Sequence, residues 1–500
     1  LGPLRSGGLS IEGRIAWTRA DTVALLVLVV GAALLRLAGL NRPTGLVFDE
    51  IFYAQDACVY VVGREEVCGI ADLASRAHPP LGKWLIGAGI ALFGYQEVGW
   101  RIGAAVAGTV TVPLVYLLGW RLLRPVAPGR SATIGALAAA GLLATDFLHV
   151  VQSRIAMLDV FITLFVVGAA LAIVLDRDRP RDSTSPSLID RLTLGRPWRL
   201  VAGACLGAAA ATKWSGAYVA LAIIGLTVAW EIARTRADAP EAGWWRATRR
   251  AFRRETLPTV ILLGLVPLAV YLASYTTRMS GELIGLPWVE GTVWRNIWEH
   301  QAAMLGFHTT LGGQHPYESP PWSWGLLKRP VAYFFEAGAD GYREILALGN
   351  PIAWWPGLLA GVAVTAIWLR RGRDLWQPEL LIAAAVVATY GPWLALSGTR
   401  SQVFLWYLLP TLPFLYLALG MLAAWAWQWV AGRVVVGLYG VALAASFLFW
   451  FPVLAALPLD ADGWRLRVPF RDCERPGAPT LTLPDDDISE GPPPAGWCWI

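Results

Sequence analysis

Apolar runs of membrane length recur along the whole of this 500-residue chain, and nothing else in it limits the fold so strongly. Hydrocarbon offers no water to backbone N–H and C=O groups, so a run of about 20 apolar residues crosses as a helix. The runs fall near 22–40, 102–123, 132–150, 156–175, 199–213, 215–233, 257–276, 352–369, 378–396, 403–427 and 434–455. They predict an all-α polytopic membrane protein with about eleven transmembrane helices, several of them short for a full crossing. Hydrophobic residues make up 56% of the chain and charged residues only 15%, where a soluble domain carries roughly a quarter charged. The 27 Trp and 14 Tyr fit belts of amphipathic rings at the membrane surface. A further apolar stretch, 81–97, follows two prolines and holds several glycines. It reads as an interfacial or re-entrant helix, because counting it as a span inverts the charge pattern downstream.

That charge pattern sets the expected topology. Arg121, Arg124 and Arg130, then Arg177, Arg179 and Arg181, then Arg246, Arg249, Arg250, Arg253 and Arg254, then Arg370, Arg371 and Arg373 all fall between spans on one side. The other side, 41–101, 151–155, 277–351, 397–402 and 456–500, is mixed or acidic, as at Asp485, Asp486 and Asp487. Basic loops stay cytoplasmic, so the N-terminus is expected inside and the C-terminus outside. The net charge of +5 is thereby explained by topology and is no sign of a nucleic-acid partner. Val23–Leu40 is long enough to act as its own insertion signal, so no separate cleavable leader is expected. Residues 1–456 read as one membrane domain and 457–500 as a polar, Pro-rich outer tail.

Four of the five cysteines lie on the outer side. Cys58 and Cys68 share the first outer loop, and Cys473 and Cys498 share the tail, so two disulfides or free thiols are both open readings. Cys205 sits in a span and reads as packing. No CxxC or HExxH string occurs, and neither a metal nor another cofactor is expected.

Unusual polar residues also gather on the outer side. Asp49 and Glu50 stand together just after the first span, followed by His78, Lys83 and Arg101. Arg154 and Asp159 flank one outer turn and Lys213 another; taken alone, the first two read as a structural ion pair and the third as a snorkelling helix end. His300, Gln301, His308, His315, Lys328 and Arg329 lie in the long outer loop, and Arg400 and Gln402 in the last short one. Ionisable groups at hydrocarbon are costly and mark function. Cations suit a phosphate, a carboxylate beside them suits a general base, and an apolar cleft suits a lipid tail. Together they point to transfer of a group from a lipid-phosphate carrier to an acceptor outside the membrane.

The strings FDEIFYAQDA (48–57), HPPLGKWLIG (78–87), WRIGAA (100–105), SRIAMLD (153–159), ATKWSG (211–216) and PWLALSGTRSQVFLWYLLPTLPFL (392–415) follow one another in an order that resembles the protein O-mannosyltransferases, membrane glycosyltransferases of the GT-C class. The resemblance covers most of the chain, and HPYESPPWSWGLLKRP (315–330) looks like the bacterial, particularly actinobacterial, branch. It implies a polyprenyl-phosphate-mannose donor and a Ser or Thr hydroxyl of a secreted protein as acceptor, met alongside the Sec translocon at a bacterial plasma membrane. It implies inversion at the anomeric carbon, with Asp49 and Glu50 as the catalytic pair: Asp49 as base and Glu50 beside it positioning acceptor or donor. Arg101, Arg154, Lys213 and Arg400 are then expected near the donor phosphate, with Arg101 alternatively bracing the acidic pair. His78, Lys83, Asp159, His300, Gln301 and Gln402 are expected in acceptor contact or structural support. The 277–351 loop is too short for the β-trefoil MIR domain of the eukaryotic members, and short interfacial helices are expected there instead. Another GT-C enzyme with a lipid or glycan acceptor is the nearer alternative. A transporter or flippase is the distant one; it predicts midplane charges and inverted repeats, and no repeat is visible.

The topology is open to a direct check. A periplasmically active phosphatase fused after residue 456 is expected to be active, and one fused after residue 372 inactive; the reverse pattern would invert the chain in the membrane.

Overall fold

The architecture is that of a computed structural model, which describes residues 17–179, 188–239, 243–275, 278–279, 282–283, 291–338, 341–372, 374–398, 402–471, 473 and 493–500. Among these residues nine helices are long and apolar enough to cross a membrane: Arg19–Leu37, Glu97–Leu123, Asp159–Asp178, Gly216–Asp238, Trp244–Ala273, Pro351–Arg370, Pro378–Ala395, Leu405–Ala426 and Val430–Leu454. The other two expected spans are helices of 15 and 16 residues, Arg130–Ala144 and Pro197–Thr212. Length and composition therefore support nine spans where about eleven were expected. The run at 132–150 breaks because Asp146 caps a separate short helix, Phe147–Gln152, by accepting from the His149 N–H at 2.8 Å. The ambiguous stretch after the two prolines forms a 13-residue helix, Leu81–Phe93, about 20 Å long and too short to cross.

Local chemistry explains the helix starts. Thr18 and Asp21 form a reciprocal capping box at the head of the first span, satisfying two N–H groups that an uncapped end leaves open. Pro378, Pro351 and Pro197 occupy first-turn positions, where proline lacks only an N–H that has no helical partner.

Burial sorts the helices into centre and rim. In Asp159–Asp178 and Leu405–Ala426, 72% and 78% of the apolar window is covered by protein, against 11% in Trp244–Ala273 and Val430–Leu454. The first two are core helices, and the last two present their sides to lipid. Lipid tails are as apolar as leucine, so helices associate through close backbone approach at small residues. Gly135 and Gly420 mark such a crossing: a Cβ on Gly135 would sit 2.6 Å from the Gly420 carbonyl oxygen.

The long outer loop departs from the expected interfacial helices. It contains the helix Gly291–Thr310 and a 3-10 turn, Pro321–Leu326, but also two antiparallel hairpins, Arg278–Met279 with Glu282–Leu283 and Val331–Gly338 with Gly341–Ala347. The second hairpin has Phe334, Phe335, Tyr333 and Ile345 in a short β-rich run, and a bulge between Ala332 and Phe334 re-aims its side chains. Tyr342 exchanges backbone hydrogen bonds with Leu459, tying the start of the tail to the sheet. Both cysteine pairs are bonded, Cys58 to Cys68 and Cys473 to Cys498, each with Cα atoms 5.5 Å apart. The end of the tail docks on the loop: the Trp499 indole donates to the Leu327 carbonyl and Cys498 N–H to that of Lys328.

The glycine crossing carries a stability prediction. Gly420→Ala must displace the neighbouring helix backbone and is expected to lower the detergent melting temperature by several degrees, since overpacking costs about 1–3 kcal/mol. Gly437→Ala, where a Cβ would meet nothing within 4 Å, is the control. Equal melting for the two would show that the crossing is not tight.

Candidate active site

Glu50 and Arg101 form the framework of the site, and both are fully buried. Arg101 Nε donates to Glu50 Oε1 at 2.9 Å, and its NH2 to Oε2 at 2.8 Å, a two-pronged pairing. The remaining guanidinium N–H groups go to the carbonyls of Leu40, Pro43 and Gly45. A guanidinium has five N–H donors, so a donor-phosphate contact by Arg101 has no donor left to make it. Glu50 also accepts from the backbone N–H of Val47 at 2.9 Å and of Ala156 at 2.8 Å. One ion pair thus joins the end of the first span, the first outer loop, the Glu97–Leu123 helix and the turn before Asp159. Glu50 is a brace in this geometry.

Asp49 is turned the other way. It begins the Glu50–Val61 helix without capping it through its side chain, and it is only half-buried. The residue before it, Phe48, has φ +50, a left-handed conformation that costs a non-glycine residue about 1–3 kcal/mol and persists where packing imposes it. Here the packing is aromatic: the Phe48 ring stacks on Tyr333 at 4.4 Å and meets Trp406 edge-on at 5.4 Å. The carboxyl of Asp49 bonds the Tyr53 hydroxyl, one helical turn on. Burial pushes its pKa up to about 6, and the nearby charge of Asp159 adds to the rise, against the pull of Lys213 and the Tyr53 bond.

Lys213 and Asp159 pair across two helix ends. Lys213 Nζ lies 3.0 and 2.8 Å from the two Asp159 oxygens and 4.7 Å from the centre of the Tyr407 ring. Arg154 does not take part. Its NH1 donates to the Leu35 and Ala38 carbonyls at 2.9 and 2.7 Å, so the Arg154–Asp159 pair read from adjacency in the sequence is replaced by Lys213–Asp159. The physical reason is direction: Arg154 sits in the turn beneath the first span, whereas Asp159 opens the next helix and faces the end of Pro197–Thr212. Asp49 feels the charges of Lys213 and Asp159, and Tyr53 and Tyr333 each feel Asp49, Asp159 and Tyr407, whose ring faces Lys213, so the six form one cluster.

The other expected residues divide by position. Lys83 is wholly buried against Asp56, Nζ to Oδ2 2.6 Å, and Asp56 also holds the Ala74 and Ser75 N–H groups; this pair folds the first outer loop. His78 lies beside Tyr53, its ring 6.0 Å from that of Tyr53 and 5.6 Å from His308. His300 is buried and donates weakly to the His78 carbonyl at 3.4 Å; burial lowers its pKa to about 4, so it is neutral at ordinary pH. Gln301 bridges the Tyr271 and Tyr275 hydroxyls. Gln402 reaches the Gly312 carbonyl at 3.2 Å, joining the last outer turn to the long loop. Arg400 lies outside the described residues. Among the described residues no group of three or more His, Cys, Asp and Glu could hold a metal ion.

Sequence reasoning missed Tyr53, Tyr333, Tyr407 and Gln152. Tyr53 and Tyr407 sat inside the quoted strings, and the i, i+4 spacing from Asp49 to Tyr53 was a usable signal. Tyr333, whose hydroxyl accepts from Gln152 at 2.7 Å, is brought in by the hairpin alone.

Comparison with known proteins places this geometry. Residues 95–279 match the family described as dolichyl-phosphate-mannose-protein mannosyltransferase, and residues 293–471 the C-terminal four-transmembrane region of protein O-mannosyltransferase. A polyprenol-phosphate-mannose–protein mannosyltransferase of Mycobacterium tuberculosis is 32% identical over 90% of this chain and 91% of its own length. A protein of the same description from Corynebacterium glutamicum is 28% identical over 83% of this chain and 84% of its own. In structure, the chain is similar to the S. cerevisiae Pmt1–Pmt2 complex bound to the sugar donor, with TM-score 0.71, 16% identity and coverage of 90% and 92%; that likeness concerns the fold.

The brace predicts a sharp asymmetry between folding and chemistry. Arg101→Ala leaves Glu50 buried without its partner, a loss on the order of 3–5 kcal/mol, and is expected to cut folded yield and melting temperature together. Asp49→Asn, with no buried partner lost, is expected to keep wild-type melting. Similar melting for Arg101→Ala and wild type would remove the bracing role.

Proposed function

The chain belongs to the protein O-mannosyltransferase family, and from that premise we propose how its site carries mannose from a polyprenyl-phosphate-mannose to a Ser or Thr hydroxyl of a protein. It is an enzyme of the polyprenyl-phosphate-mannose–protein mannosyltransferase class. The observation that supports Asp49 as the base is its contrast with Glu50. Both oxygens of Glu50 are committed to Arg101 and backbone N–H groups, whereas Asp49 is partly exposed, caps nothing and lies within the field of Lys213.

In the proposed step the acceptor hydroxyl gives its proton to the Asp49 carboxylate as its oxygen bonds to the anomeric carbon of mannose. The bond from that carbon to the phosphate oxygen breaks, and its electron pair leaves with the polyprenyl phosphate. A single displacement from the far face inverts the anomeric centre. Phosphate leaves well without a proton, so one base suffices where glycoside hydrolysis uses two carboxylates. Fixed cations offset the charge growing on the phosphate. Lys213 and the half-buried Arg154 are the described candidates, with Arg400 the third. Asp159 then holds Lys213 in place and moderates its charge. Tyr53 orients the Asp49 carboxyl, and His78, on its other side, borders the route for the acceptor.

We place the site on the outer face of a bacterial plasma membrane, on the support of the arginine distribution and the two disulfides, which suit an oxidising side. An acceptor would then arrive unfolded from the secretion translocon, its hydroxyls accessible to a recessed base.

Two outcomes test the assignment in membranes given polyprenyl-phosphate-mannose and a Thr-rich peptide. Asp49→Asn is expected to lose transfer by a factor on the order of 10²–10⁴ with expression unchanged; full activity in the variant would sink the base. A carboxyl with pKa raised to about 6 is a base only above that pH, so the wild-type rate is expected to fall as pH drops through about 6. A rate flat from pH 7 to pH 4.5 would mean that another group takes the proton.

A further inference from the structure

A second polar site lies at the end of the membrane domain away from Asp49. The Glu97–Leu123 helix starts beside the Glu50–Arg101 pair and ends, 27 residues later, about 40 Å away. The Arg130–Ala144 helix returns from that far face, and the turn between Leu405–Ala426 and Val430–Leu454 lies against its start. Between them is a cavity of about 670 Å³. Arg130, Ser131 and Ile134 line one side, and Trp427, Gln428 and Arg433 the other; no carboxylate lines it.

Its chemistry is that of an anion site. Arg433 Nε is held by the Trp427 carbonyl at 3.0 Å, which anchors the guanidinium while leaving its two terminal nitrogens for another acceptor. The neighbouring Arg124 is engaged with Asp21 at 3.3 Å; Arg130 and Arg433 have no such carboxylate partner among the described residues. Both helices that begin here, of 15 and 25 residues, start at Gly129 and Trp429 without a side-chain cap. Their positive dipole ends add to the two guanidiniums.

The rim of the cavity is apolar in one direction. From Arg433 the Val430–Leu454 helix runs on with Val434, Leu438 and Val441 on one face, each more than half exposed, as a surface against acyl chains must be. Trp427 supplies an indole at the boundary, where such rings settle between headgroup and hydrocarbon.

We propose that this cavity binds the phosphate headgroup of an anionic glycerophospholipid from the leaflet opposite the active site, with the acyl chains lying along Val434, Leu438 and Val441. Arg130 and Arg433 hold the phosphate oxygens, Ser131 and Gln428 the polar remainder of the headgroup. A bound lipid would fill the gap between the Arg130–Ala144 helix and the lipid-facing last span, which touches the rest of the protein over little of its length.

Native mass spectrometry of the full chain in detergent tests this, with phosphatidylglycerol, phosphatidylcholine and inorganic phosphate as separate probes. Phosphatidylglycerol is expected to stay bound to the wild type and to Arg130→Lys/Arg433→Lys, and to lose roughly tenfold in occupancy in Arg130→Gln/Arg433→Gln. The control Arg249→Gln/Arg250→Gln, on the basic segment of the Trp244–Ala273 helix, is expected to bind as the wild type does. Equal retention of phosphatidylcholine would overturn the anion site, and equal loss in the control would reduce it to general surface charge. Inorganic phosphate that displaces phosphatidylglycerol at millimolar concentration would overturn the lipid assignment in favour of a free anion. Should the double Gln variant fail to fold, Arg433→Gln alone against Arg433→Lys reads the same difference, and equal binding by that pair would overturn the proposal.

Discussion

The pairing of Glu50 with Arg101 is the interaction on which the outer half of this protein depends. A buried ion pair is worth little or nothing over an apolar pair of the same volume. Its value here is positional. Arg101 collects three carbonyls from the 40–45 segment while Glu50 collects N–H groups from Val47 and Ala156, so three pieces of chain remote in sequence meet at one point. Fully satisfied polar clusters of this kind specify one arrangement and penalise any other. With Glu50 immobilised, its neighbour Asp49 is aimed by two restraints, the start of its helix and the aromatic clamp on Phe48.

A division of labour among charges follows from this. Lys83 with Asp56 and Arg101 with Glu50 are enclosed and shape the first outer loop. Lys213 with Asp159 is nearly as enclosed, yet it lies over the Tyr407 ring and acts on Asp49, so it combines support with a field at the candidate site. Asp49, by contrast, has no bonded cation or backbone N–H among the described residues, and a donor-poor, partly buried carboxyl suits the base role proposed for it. Distinguishing the braces from the base requires the partner of each residue, which residue type alone does not supply.

The membrane domain meets its solvent with equal economy. Close glycine contacts such as Gly135 with Gly420 let backbones approach where hydrophobic driving force is absent, while the rim helices stay apolar on nearly every side. Outside the hydrocarbon other means hold the chain: a β-hairpin, two disulfides and a tail pinned through Trp499 and Cys498. The hairpin matters most for the site, because it delivers Tyr333 against Phe48.

What could be read from the chain itself was whatever depends on local composition. Long apolar runs dictate helices because backbone groups have no other partner in hydrocarbon, and nine such helices are present among the described residues. The ordered strings from FDEIFYAQDA to PWLALSGTRSQVFLWYLLPTLPFL identified the family without any contact being known. The sequence also put each bonded cysteine pair in one segment, Cys58 with Cys68 and Cys473 with Cys498. It did not determine who pairs with whom. Asp159 is five residues from Arg154 but binds Lys213, 54 residues away, because helix direction and not sequence distance decides which side chains meet. The resemblance named Asp49 as base and Glu50 as its neighbour, but the residues alone did not show that Glu50 is locked to Arg101, since two adjacent carboxylates differ only in the faces they present. Nor did the sequence place Tyr333, whose arrival depends on a hairpin register and a bulge. Local chemistry settled the elements and the family; long-range packing alone chose the partners, and through them left Asp49 as the open carboxylate.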